Sequence, residues 1–134
     1  MNRWWGYLGG VTMSIAAYAG QLSLLPKLDA RVNADQIQVM PSVMMQGADP
    51  TSYQVHYQLT SIKQGKNESK TSQSGIVNLE GSHLKTLTHL ALSLPPMGSS
   101  YRLHLLVWTD QGQRAEKSVR IDHDEQGVRV LDSE

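Results

Sequence analysis

The chain has 134 residues, 12 of them basic and 12 acidic, with no cysteine. That length suits one domain with a modest core, and the missing thiols exclude a disulfide scaffold, a thiol oxidoreductase and a cysteine-ligated zinc module. Net charge is zero but unevenly spread: residues 60–120 carry eight basic and four acidic side chains, residues 121–134 one basic and five acidic, a separation that either steers partners or simply solvates the surface.

The N-terminal stretch MNRWWGYLGGVTMSIAAYAG has one early cation, Arg3, then an apolar run over residues 4–17, and ends in the small-x-small pattern Ala17-Tyr18-Ala19. This is the layout of a secretory signal cleaved between Ala19 and Gly20. The alternative is an uncleaved anchor, but the run is short for a span and Gly6, Gly9 and Gly10 interrupt it. An exported chain with no second long apolar stretch is expected to be periplasmic, with no stable membrane association once the signal is cleaved.

Residues 20–35 have no clean period and read as a linker into the domain. From residue 36 the pattern is strand after strand. Ile37, Gln38, Val39 and Met40 begin to alternate, and Pro41 marks an edge or a bulge. Tyr53, Val55, Tyr57 and Leu59 alternate with Gln54, His56, Gln58 and Thr60, the period of a half-buried strand with the first set facing the core. Ser61 and Lys63 suggest a switch of face. Residues 64–67 form a turn. Residues 68–74 are polar on both faces, so periodicity assigns them nothing.

Ile76, Val77 and Leu79 make a short strand before a turn at residues 80–82. Leu90, Leu92 and Leu94 alternate until Pro95-Pro96 stops the strand, although Leu84, Leu87 and Leu90 at three-residue spacing allow a helix. The alternation over residues 101–108 is the strongest in the chain. Asp110-Gln111-Gly112 is a tight turn needing positive φ at the glycine, and residues 114–121 return as the partner strand. Residues 123–134 read as an acidic tail. The whole predicts an all-β fold, an immunoglobulin-like sandwich of about seven antiparallel strands over residues 36–122.

Motifs for chemistry are missing. The chain contains no P-loop, GxGxxG, GxSxG or HExxH. The histidines at 56, 83, 89, 104 and 123 read as polar surface residues, although His56, His89 and His104 fall on predicted strands where some could share a face. No enzyme, no cofactor and no metal centre is expected. The lysines at 63, 66 and 70 lack interleaved aromatic residues for base stacking, and an exported chain has little access to nucleic acid, so none is expected as a partner.

Three stretches, VHYQLTSIKQGKNESKTSQSG (residues 55–75), LTHLALSLPP (87–96) and LHLLVWTDQGQ (103–113), together resemble the small curli-assembly proteins of the CsgC and CsgH group. The likeness lies in the order of patterns and spans about residues 36–122. It implies a seven-stranded immunoglobulin-like sandwich in the periplasm, acting as a holdase-type chaperone that keeps curli-type amyloid subunits, major and possibly minor, from forming fibrils before secretion. Well-known members carry a Cys-x-Cys pair where this chain has Tyr53 and Val55, so a redox role does not carry over.

Under this resemblance the polar run of residues 63–70 becomes intelligible. Amyloid grows when an unfolded segment adds to an exposed strand edge. A polar strand carrying Lys63, Lys66 and Lys70 offers cations to an acidic, Gln/Asn-rich client without an apolar face on which a zipper could pack. Arg102, Arg114 and Lys117 complete the basic set expected to bind the client, and the protein is expected to be a monomer. Two alternatives stay open: the lysines only protect an edge from self-aggregation, and the sandwich is a structural or adhesion module of a surface appendage.

Overall fold

A computed structural model describes residues 23–47, 52–80 and 83–133; the expected signal and its cleavage site at Ala19 and Gly20 lie outside them. Nine strands follow in order among these residues: β1 (Ser23–Asn33), β2 (Gln36–Gln46), β3 (Ser52–Gln64), β4 (Ser69–Glu80), β5 (Lys85–Thr86), β6 (Leu90–Ser93), β7 (Ser100–Thr109), β8 (Arg114–Asp124) and β9 (Gly127–Ser133). They form two antiparallel sheets. In the four-stranded sheet β2 is flanked by β1 on one side and by β5 and β6 on the other; the five-stranded sheet runs β4-β3-β7-β8-β9.

The alternation predicted for β3 and β7 is present. Val55, Tyr57 and Leu59 of β3 face inward with Tyr101, Leu103, Leu105 and Val107 of β7, and pack against Ile37, Val39, Val43 and Met45 of β2. This shared layer is the core, and its burial supplies the main driving force for the fold. Ser61 continues the inward set at 4% exposure, its hydroxyl 3.0 Å from that of Thr71, so the expected switch of face does not occur. The turn before β8 is as expected: Gly112 has φ 105, and its N–H donates to the carbonyl of Thr109 at 3.2 Å.

Two expectations are corrected. The linker of residues 20–35 is instead largely β1, paired with β2 from Ser23↔Gln46 to Asn33↔Gln36. Its inward positions are Leu24, Pro26, Leu28, Ala30 and Val32, and the proline and alanine dilute the alternation. The acidic tail is β9, whose Val128 packs on the core. Two of the tail's acids are engaged: Asp132 of β9 pairs with Lys117 at 2.9 Å, and Asp124, the last residue of β8, with Arg129. The predicted domain holds seven strands, β2 to β8, as expected; β1 and β9 bring the total among the described residues to nine. Residues 84–92 hold no helix; β5 and β6 share that segment, with residues 87–89 between them.

Pro41 sits inside β2 without a bulge. In an antiparallel strand the N–H and C=O of one residue point to the same neighbour. The Pro41 carbonyl accepts from the Leu87 N–H at 2.9 Å, in the break between β5 and β6, so the missing amide faces the gap in the ladder.

Candidate functional site: the outer face of the five-stranded sheet

The hairpin registers decide which polar residues meet. Ile62 of β3 lies opposite Lys70 of β4 and Arg102 of β7, and Arg102 lies opposite Arg120 of β8. These residues form one row across the solvent face, with Lys70, Arg102 and Arg120 exposed. Lys70 and Arg102 are two strands apart, about 10 Å. Arg102 and Arg120 are direct neighbours.

Like charges directly opposed across a ladder destabilise it. Arg120 finds relief along its own strand, donating to Asp122 at 2.7 Å. Arg102 makes no ion pair among the described residues. The row is therefore a patch of positive potential on a rigid, flat support, and such local conflicts mark places where a sheet meets something else.

Toward the opposite end of the face the character changes. His56 and Trp108 stack across β3 and β7, ring centres 5.3 Å apart at 10°. His56 also meets Asp110 at 3.1 Å, and His104 meets Glu116 at 2.6 Å. Arg114 lies opposite Trp108 and reaches Glu116 at 4.0 Å. Here each cation or imidazole has a carboxylate nearby, so this region is close to neutral.

The six residues expected to bind a client do not form one surface. Lys70, Arg102 and Arg114 share the outer face. Lys66 lies in the bend between β3 and β4. Lys63, next to last in β3, lies on the side of Ser61 and Tyr101, half-buried. Lys117 points to the inward side, paired with Asp132 in an open cleft of about 690 Å³ that Pro26 and Leu28 also line. Arg120 was not in the set, although the sequence held the signal. A tight turn at residues 110–112 fixes Trp108 opposite Arg114, and counting back along both strands brings Arg102 to Arg120.

The histidines stay apart: among the described residues no three His, Asp or Glu side chains are grouped to hold a metal ion. His123 uses Nδ1 against the Pro95 carbonyl at 2.6 Å.

No protein-family model matches the chain, and no curated protein matches it in sequence. Solved structures do match. The E. coli curli protein CsgC superposes with a TM-score of 0.58 at 20% identity, covering 72% of this chain and 97% of CsgC. CsgH of R. palustris gives 0.54 at 14% identity, covering 81% of this chain and 91% of CsgH. These two belong to the group that the three sequence stretches resemble, and the chain has the fold of CsgC and CsgH.

Proposed function

We propose that this protein is a non-enzymatic periplasmic chaperone that delays amyloid formation by curli-type subunits before their secretion. It binds them through the row of Lys70, Arg102 and Arg120. The fold held in common with two curli proteins supports the curli setting. The observation that carries the binding mode is the pair of directly opposed arginines, one of them without an acidic partner among the described residues. An extended acidic segment laid along this face relieves that repulsion. Its backbone meets side chains rather than an open strand edge, so the client is held without being templated.

Fibrillation kinetics test this reading. Substoichiometric purified protein should lengthen the lag of a curli major subunit followed by thioflavin fluorescence, and added salt should shorten it again because exposed charges are screened. No change even at equimolar ratio would leave only the fold in common with CsgC and CsgH. A fibre-associated rather than soluble periplasmic pool would then favour the structural-module reading.

A further inference from the structure

β4 is an edge strand of unusual regularity. Among the described residues it pairs only with β3, and its register is unbroken through all twelve residues, from Ser52↔Glu80 to Lys63↔Ser69. It has no proline and no bulge, so its free edge is straight and open to another strand. Polar β4 still holds its place in the sheet because hydroxyls meet across the ladder: Thr60 with Ser72 at 3.3 Å and Ser61 with Thr71 at 3.0 Å.

The charge pattern of this edge is self-complementary. Its only charged residues are Lys70 and Glu80, both on the outer face and each five positions from Gly75. A second copy laid antiparallel about a two-fold axis through Gly75 sets Lys70 opposite Glu80, Ser72 opposite Asn78 and Ser74 opposite Ile76, each pair occurring twice. Sliding the copies by one same-face step removes both ion pairs.

Two further features fit the axis. Ile76 is 55% exposed, the most exposed large apolar side chain on any described strand. In this register it becomes the diagonal neighbour of the other copy's Ile76, within contact range across a ladder. At Gly75 the strand has no side chain on its inner side, and the Tyr57 ring occupies that space, within 2.9 Å of where a Cβ would stand.

We propose that the protein forms a homodimer through antiparallel β4–β4 pairing centred on Gly75, joining two five-stranded sheets into one of ten strands, in place of the monomer expected from sequence. The dimer needs no curli client and would also cover the edge on which amyloid could grow. Sedimentation velocity of the purified protein over a concentration series tests it. A dimer should appear and grow with concentration. Lys70→Glu and Glu80→Lys should each weaken it about tenfold, because symmetry doubles every change, and the combined variant should restore it. In this cysteine-free chain, Ser74→Cys with Ile76→Cys should cross-link into covalent dimers on oxidation. A protein still monomeric at about 1 mM, or a dimer indifferent to both single reversals, would overturn the proposal. A combined variant as weak as either single one would do the same.

Discussion

Gly75 and Asp124 show how single residues set local stability here. Gly75 faces the Tyr57 ring across the β3–β4 ladder, and a Cβ there would stand 2.9 Å from ring atoms. Tyr57 is itself 9% exposed within the core, so it has little room to yield. Gly75→Ala should therefore destabilise the protein by about 1–3 kcal/mol, the range for overpacking, read as a lower midpoint in urea with unchanged slope. At Asp124 the Gln126 N–H donates to Oδ1 at 2.9 Å and Arg129 adds its charge, holding the carboxyl below the ordinary carboxylate range. A depressed folded-state pKa contributes stability above the unfolded value of about 4, which is lost as pH falls through the lower folded value. Asp124→Asn should remove that contribution. The stability gap between wild type and variant in urea unfolding should narrow as the pH falls from neutral to below the unfolded value of about 4.

At the scale of elements, what could be read from sequence depended on how unmixed each strand's alternation was. β3 and β7 alternate bulky apolar with polar residues and were predicted where they lie. β1 was missed because Pro26 and Ala30 occupy inward positions while Leu25 points out, 38% exposed. β4 was unassigned over its polar half because its inward-side residues meet hydroxyl and phenol groups rather than the core. β9 was read as tail because Asp132 and Arg129 flank its valines, and their partners Lys117 and Asp124 come from β8. The correction at β9 has a consequence. A chain ending at residue 122 would lose the β8–β9 ladder and the packing of Val128, and leave Val119 and Ile121 on a new edge. Such a truncation should cost about 3 kcal/mol or more; a freely mobile tail would cost nothing. Thermal unfolding of the shortened protein decides between them.

For the whole molecule, the two halves of the charge distribution meet in space rather than separating. Carboxylates near the C-terminus bond to basic side chains of β8 and β9, Asp122 to Arg120 among them, so the positive charge of the Lys70–Arg102–Arg120 row comes chiefly from Lys70 and Arg102. Half of the expected basic set shares this face, since position along one strand says nothing about the opposite sheet surface until the register is known. Lys117 is the case in point: its charge suggested client binding, while its parity on β8 turns it toward Asp132. The fold was legible because the inward residues of the central strands repeat strictly. The candidate site was legible only in part, because it is assembled by three hairpin registers.

The most direct test of this account is curli-subunit fibrillation in the presence of a variant carrying Lys70→Glu, Arg102→Glu and Arg120→Glu, beside Lys117→Ala as a control outside the row. If the row holds the client, the triple reversal, folded by circular dichroism, loses most of the lag extension and its salt dependence, while Lys117→Ala keeps both. A triple reversal that inhibits as well as the unaltered protein would contradict the account and place client binding elsewhere on the molecule.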